Sequence, residues 1–344
     1  MKALRLHSSG KIQLHDEPIP KPTLGEVLVQ VTSVAICGSD IHWLMEGGIG
    51  DAKITRPLVL GHEAAGIIAS GPRKGTRVAI DPAISCGKCK QCQKGNPNLC
   101  QDMRFSGHGL QDGALREYMP WPEEFLFPIP DALSLDDAAM LEPLGVAIYA
   151  MDIAGIKPGM RIGVFGCGPI GLLIIQLART MGAAQIIATE KLLHRLEAAR
   201  ACGATDAIRI KNEQDYPDFT AITEGEGVDV AFEAAGTDRA LQCATQAAGY
   251  GTEVILVGIP GDDEHRLVAS LVRRKGLTIK LCRRMKHTYP RAIRLTQQGI
   301  IDLKSIVSHH FTMDQFQEAF ASASRREGLK VIIEPTPQDL QTYD

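Results

Sequence analysis

Apolar and polar residues alternate with period two along Glu26-Val27-Leu28-Val29-Gln30-Val31, the pattern of a half-buried strand. Shorter runs of the same kind, Gly66-Ile67-Ile68-Ala69 and Arg77-Val78-Ala79-Ile80, recur in the first half between glycines and prolines. That texture predicts an irregular, mostly antiparallel β region with long loops. From about residue 150 the rhythm changes. Residues 161–165, 185–189, 228–233, 253–257 and 277–281 read as strands, and the runs 170–181 and 192–202 read as helices. Strands alternating with helices predict a doubly wound parallel sheet. Past about residue 285 the pattern becomes two helical stretches and a last strand, residues 330–333, expected to pack back onto the first region. The expectation is an α/β protein with one domain over 150–284 and a discontinuous β-rich domain over 1–149 and 285–344.

Composition narrows the function. The 344 residues suffice for two domains with a core each, and the formal net charge of -3 excludes a strongly basic nucleic-acid binder. No run reaches the roughly 18 apolar residues of a membrane span. The nearest, residues 162–178, is broken by four glycines and a proline. The opening residues lack the apolar core and cleavage site of a signal peptide, so a cytoplasmic protein is expected, without membrane or nucleic-acid partners. Nine cysteines are too odd a number, in too large a chain, for a disulfide framework.

Gly166-Cys167-Gly168-Pro169-Ile170-Gly171 is a G-x-G-x-x-G motif between an expected strand and an apolar helix. The first glycine permits a tight turn, the second admits a pyrophosphate, and the third allows close helix–strand contact. The helix N-terminus then faces the negative charge. Glu190 ends the next strand, where an acid hydrogen-bonds ribose hydroxyls and repels a 2′-phosphate, which favours NAD over NADP. Lys191 and Arg195 pull the other way. The plainer reading is a glycine turn without ligand; the acid in register argues against it.

Four of the cysteines fall within fifteen residues, as Cys86-x2-Cys89-x2-Cys92-x7-Cys100. Four thiolates on one loop suit a tetrahedral structural zinc with no position left for substrate. An iron–sulfur cluster is the competitor, although its motif usually closes with x3-Cys-Pro, and unligated thiols are the bland alternative. Elsewhere Cys37, His62, Glu63 and Glu142 offer a thiolate, an imidazole and carboxylates. Together these form the ligand set of a zinc site with an open position.

Over nearly its whole length the sequence resembles the zinc-dependent medium-chain dehydrogenases, in particular the sorbitol (polyol) dehydrogenases. The resemblance rests on Cys37-Gly-Ser-Asp-Ile-His42-Trp43, Gly47-Gly-Ile-Gly-Asp51, Leu60-Gly-His62-Glu63-Ala, and Leu141-Glu142-Pro143-Leu144. It implies a GroES-like catalytic domain and a Rossmann cofactor domain, two zinc ions per chain, and NAD. Cys37, His62 and Glu63 match catalytic zinc ligands, and Glu142 an acid that binds zinc directly or through water. Ser39 and His42 match a proton relay by way of the cofactor ribose. Ile170, Glu190, Arg195, Val257, Gly258 and Ile259 match cofactor contacts, joining Gly166, Gly168 and Gly171. Trp43, Glu142 and Arg284 match substrate-side residues, with Trp43 and Met285 standing where the family often has tyrosine. The implied chemistry is zinc-assisted deprotonation of a secondary alcohol of a polyol or sugar, with hydride transfer to NAD. A diol or threonine-type secondary alcohol is the alternative within the family. The resemblance also implies a homo-oligomer, a tetramer before a dimer.

Other readings compete. An iron–sulfur electron-transfer protein would use the four-cysteine loop, and a binding module would need a basic surface with interleaved aromatics, which 5% aromatic content does not favour. Asp40 is read as holding its loop and Cys167 as a filler in the glycine turn. His108, His287, His309 and His310 are read as surface or hydrogen-bonded, and Arg273-Arg274-Lys275 as a solvated face.

Overall fold

The computed structural model describes residues 1–212 and 217–336. Two compact units emerge, one made of residues 1–143 together with the chain from 289 onward, the other of 144–288. The first division passes through the helix Leu135–Ala154 at Pro143.

In the first unit the strand Glu26–Ala35 is the hub. Its early residues alternate between half-buried and buried, and its second half is buried throughout as it enters the middle of the sheet. It pairs antiparallel with Glu63–Ile68, with Ala35 opposite Glu63, and its other edge pairs with Tyr118–Pro122 and then with Ile332 and Ile333. The sheet continues outward through Arg77–Ile80 to Leu126–Pro128 on one side, and through Lys330–Glu334 to Val307–Thr312 on the other. A second, three-stranded sheet joins Lys2–Ser8 to Lys11–Asp16 and Leu58–Val59. Leu4, Leu6, Val29, Val31, Trp121 and Ile333 lie in the core of this unit, all essentially without exposure.

The tail contains one strand that the hydrophobic pattern does not announce. Val307–Thr312 has two large apolar residues, Val307 and Phe311, and it lies at the sheet edge with every second residue exposed. It runs parallel to Lys330–Glu334, so the unit is not wholly antiparallel. Tyr289, at the start of the returning chain, stacks on Phe127 at 4.6 Å and donates to the Ile80 carbonyl at 2.8 Å.

The second unit is a six-stranded parallel sheet. Its strands lie in the order Asp206–Arg209, Gln185–Glu190, Arg161–Phe165, Val228–Glu233, Ala248–Leu256, Thr278–Leu281. The first strand in sequence thus sits at the centre and the order reverses there. Such a switch point opens a crevice at the carboxyl ends of the strands where dinucleotides bind. The helices Pro169–Thr180, Leu193–Cys202, Asp238–Ala247 and Ala269–Lys275 alternate with the strands. Where bounds were expected they agree within a residue or two, except that Ala248–Leu256 begins five residues before the expected 253, and the edge strand Asp206–Arg209 was not among the expected strands. No helix among the described residues is long and apolar enough to cross a membrane.

Candidate metal centres and dinucleotide site

Register assembles the first site. Cys37 follows the end of Glu26–Ala35 by two residues and caps the helix Gly38–Glu46. Glu63 opens the antiparallel neighbour opposite Ala35, with His62 just before it. The strand ends therefore converge, and the Cys37 sulfur, a His62 ring nitrogen and a Glu63 oxygen lie within 4.8 Å of one another. Thiolate, imidazole and carboxylate with an open fourth position form the donor set of a catalytic zinc. Glu142 is buried nearby, where its charge acts on Lys330, and stands outside that converging set.

Asp40 binds the two ligand loops together. From the first turn of its helix, one oxygen accepts the Cys37 N–H at 2.9 Å. The other accepts the Gly61 N–H at 3.2 Å and lies 3.5 Å from His62 Nδ1. Burial alone would raise the Asp40 pKa, but the His62 charge and these N–H donors outweigh it and hold the carboxyl below its usual range. Burial likewise pushes His62 down, and the Asp40 carboxylate and Cys37 thiolate override it, leaving the imidazole well above its ordinary value.

Lys330 completes the arrangement, and the sequence reading did not single it out. Its Nζ donates to Glu63 Oε2 at 2.5 Å and to the Ile36 carbonyl at 3.2 Å, with 4% of the residue exposed. Burial works against its charge, but Glu63 and Cys37 raise its pKa above the normal lysine value. The available signal was a lysine opening an otherwise apolar strand, Lys330-Val331-Ile332-Ile333. Ser39 Oγ lies 3.4 Å from His62 Nε2, and His42 Nδ1 pairs with Glu46 one turn further along at 2.8 Å. Trp43, on the same helix, is buried with its ring edge-on to His108.

The four cysteines occupy a separate lobe between the short paired strands Ala83–Ile84 and Arg104–Phe105. Their sulfurs lie within 4.8 Å of one another, and Cys89 and Cys92 are 3.5 Å apart. Zinc–sulfur bonds of about 2.3 Å put tetrahedral sulfurs somewhat under 4 Å apart, so this spacing fits one ion. A cluster of several irons with bridging sulfides needs more room between its cysteines. The Cys86 N–H donates to Cys100 Sγ and the Cys89 N–H to Cys86 Sγ, both at 3.3 Å, as suits sulfurs that carry charge. The Cys92 N–H and the adjoining thiols hold Cys89 down at about 6, while burial and the Cys89 sulfur push Cys92 up to about 12. None of the nine cysteines is in a disulfide.

In the second unit the glycine motif turns sharply after Arg161–Phe165. Gly166 has φ +106°, and a Cβ on Gly171 would stand 1.9 Å from the Gly166 carbonyl oxygen. Gly168 caps the helix that begins at Pro169. Glu190 reaches back so that one oxygen accepts the Cys167 N–H at 3.0 Å and the other the N–H groups of Lys191 and Leu192. The Arg195 guanidinium stands 3.6 Å from where a Gly168 Cβ would be. Cys167 is fully buried, and burial raises its pKa beyond the normal thiol range.

Glu233, also not singled out from sequence, organises the opposite rim. Its Oε1 accepts the N–H groups of Ala235 and Gly236 at 2.8 Å, and its backbone carbonyl accepts those of Val257 and Gly258. Two loops at the strand ends are thereby fastened to one buried acid, and Ile259 is left half exposed beside them. Arg284 holds a left-handed backbone, φ +60°, which a non-glycine residue adopts at a cost and which Glu224, Asp263, His287 and Arg326 share.

Among known proteins, residues 23–131 match the alcohol dehydrogenase GroES-like domain and residues 169–298 the zinc-binding dehydrogenase family. The chain is 37% identical over 343 residues to a sorbitol dehydrogenase of Bacillus subtilis (strain 168), covering 97% of each chain. A short chain alcohol dehydrogenase from Escherichia coli CFT073, complexed with NADH, superposes with a TM-score of 0.89 at 27% identity, covering 97% of this chain and 99% of that one. A zinc-binding dehydrogenase from Sinorhizobium meliloti 1021, bound to NADP, gives 0.88 at 30% identity, with coverage of 97% and 99%. With both domain families matched in order, and a relative of this identity spanning nearly the whole length, the chain belongs to the zinc-dependent medium-chain dehydrogenases, in their sorbitol dehydrogenase-like branch.

Proposed function

We propose that this enzyme oxidises a secondary alcohol of a polyol or sugar to the ketone, with NAD as hydride acceptor. The observation that carries the reading is the convergence of Cys37, His62 and Glu63 in a pocket of partly and fully buried ligands braced by Asp40 and Lys330. Zinc held by these three residues would supply the Lewis acidity that lowers an alcohol's pKa, and nicotinamide would take the hydride. The chain's own residues do the remaining work. Asp40 keeps His62 facing its ligand position, and Lys330 balances the charge of Glu63. Ser39, beside His62, accepts the alcohol proton as its own hydroxyl proton moves on, and His42, on the next turn of the same helix, releases a proton to solvent. The resemblance assigns Trp43, Glu142 and Arg284 to the substrate side.

The first unit is the catalytic domain in this reading, and the second binds cofactor through Gly166, Gly168, Ile170, Gly171, Arg195 and the rim Val257-Gly258-Ile259. Glu190 places a negative charge where a 2′-phosphate would approach, which supports NAD over NADP. A second zinc, held by Cys86, Cys89, Cys92 and Cys100, is structural. Nine cysteines without a disulfide suit a reducing compartment, the cytoplasm. Leu281, 70% exposed on the edge strand of the parallel sheet, and exposed Tyr250 suit association of copies through that edge.

An NADH-formation screen over sorbitol, xylitol, ribitol, 2,3-butanediol and threonine tests this, with and without a chelator that strips zinc. Turnover is expected on the polyols, lost on zinc removal and regained on re-addition. Turnover confined to threonine or the diol would displace the polyol reading, and full activity after verified zinc removal would end it.

A further inference from the structure

The catalytic unit carries a continuous wall of rings that begins at a ligand. The His62 imidazole packs against Phe105 with centroids 5.2 Å apart. Phe105 meets His108 edge-on at 6.3 Å, and His108 meets Trp43 edge-on at 5.2 Å. From the other side the helix Gly38–Glu46 presents Ser39 to His62 and, one turn on, Trp43 to His108. The loop and the helix thus face each other at two successive levels. The inner level carries His62 and Ser39, and the outer level His108 and Trp43.

The loop that carries Phe105 and His108 is fastened along its length. Ser106 Oγ donates to the Gly61 carbonyl at 2.8 Å, and the Ala114 N–H donates to the same oxygen at 2.9 Å. Gly113 lies so close that a Cβ there would stand 2.4 Å from the Leu60 and Gly61 oxygens. Arg56 reaches the Leu110 carbonyl at the crest, and Asp112 is held by Arg5 and the Val59 N–H. A side chain on such a loop keeps its place relative to the adjoining His62. Trp43 is 2% exposed, whereas Phe105 and His108 are both half-buried, so the loop side of the wall is accessible and its polar end is an imidazole.

We infer that His108 is a specificity-determining residue, whose imidazole hydrogen-bonds a hydroxyl of the substrate remote from the reacting carbinol. The inference rests on the polyol reading of the site and specifies it further. Two ring steps, of 5.2 and 6.3 Å, separate His62 from His108. The inner and outer levels nonetheless stand only one helical turn, about 5.4 Å, apart along Gly38–Glu46, so a hydroxyl several carbons from the reacting carbinol meets His108, whereas a four-carbon diol has none so far along. Imidazole both donates and accepts, so it pairs with a hydroxyl in either sense. The substrates favoured are therefore five- and six-carbon polyols with hydroxyls at the far end.

The test compares two alcohols of equal carbon number, sorbitol and 1,2-hexanediol; the second lacks the remote hydroxyls. His108→Phe keeps a ring against Trp43 and removes the polar atoms; His108→Gln restores a donor and an acceptor. The ratio of kcat/KM for sorbitol to that for 1,2-hexanediol is expected to fall about tenfold in His108→Phe and to recover in part in His108→Gln. Both rates come from one preparation, so any loss of folded protein cancels in the ratio. An unchanged ratio, whether both rates fall together or neither moves, would overturn the assignment of His108. Failure of the wild-type enzyme to oxidise any polyol of the screen would overturn the underlying reading, and it would be seen before any variant is made.

Discussion

At the scale of single residues, the informative group is Asp40, which makes no claim on the substrate. Two loops must meet to bring Cys37 and His62 together, and Asp40 accepts an N–H from each while its charge faces the imidazole. Carboxylates that orient a metal-ligating histidine typically contribute 10–100-fold in metal affinity or activity, so Asp40→Asn is expected to weaken zinc binding at this site by about that factor. Competition with a chromophoric chelator reads it directly, and the four-cysteine lobe serves as an internal control whose zinc should be retained. The pH dependence has a definite sign. His62 has a raised pKa, so it keeps its proton to higher pH than an ordinary imidazole, and a metal must displace that proton. Apparent zinc affinity of the wild-type site should therefore climb through the neutral range, and Asp40→Asn should flatten that climb by releasing the imidazole proton more readily. Equal affinity and equal pH slope in both proteins would remove Asp40 from this role.

At the scale of elements, the glycine turn separates two requirements that the motif merges. Gly171 is steric: a Cβ there would lie 1.9 Å from the Gly166 oxygen, so the helix Pro169–Thr180 could not keep its seat against the strand. Gly168 is different, because its φ of -70° suits any residue and a Cβ would meet nothing nearer than Arg195 at 3.6 Å. Gly171→Ala is thus expected to lower both thermal stability and NADH affinity. Gly168→Ala should leave stability within about 0.5 kcal/mol of wild type while weakening NADH by about tenfold, because its methyl group blocks the phosphate's approach. Calorimetry and fluorescence titration of the two variants distinguish these roles; equal loss of stability in both would refute the division. The same contrast explains what could be read from the sequence. The glycine motif and Cys86-x2-Cys89-x2-Cys92 were legible because each encodes a requirement met within a few residues. The strand Val307–Thr312 was not, since an exposed sheet edge asks for little hydrophobicity and its histidines break the pattern. Cys37 and Glu63 could be joined by the chemistry of their side chains and by resemblance but not by spacing, because the pairing of Ala35 with Glu63 is a register between strands and leaves no local mark.

At the scale of the whole chain, the first unit is left incomplete until its last segment returns. Residues 144–288 form their own unit before the strand Lys330–Glu334 pairs with Glu26–Ala35 and delivers Lys330 to Glu63, 267 positions away in sequence. A lysine opening an apolar strand marks Lys330 itself, but nothing near either residue foretells its partner. Removing one partner of a buried ion pair strands the other charge at a cost of about 3–5 kcal/mol, far more than an exposed pair is worth. Lys330→Met is therefore expected to destabilise the protein by about that much in urea unfolding of the zinc-stripped form. Adding zinc should recover part of the loss, because the metal gives Glu63 a cationic partner in place of the missing ammonium. The pH window follows from the sign of the shift. Lys330 is raised above the ordinary lysine value of 10.5, so its contribution is fully present below that pH and is lost only as pH rises through the higher folded value. The gap between wild type and Lys330→Met should accordingly stay level from pH 6 to about 10 and close above it. A gap that did not change with pH, above pH 10 included, would mean that Lys330 stabilises by packing its methylene stem rather than by holding the charge of Glu63.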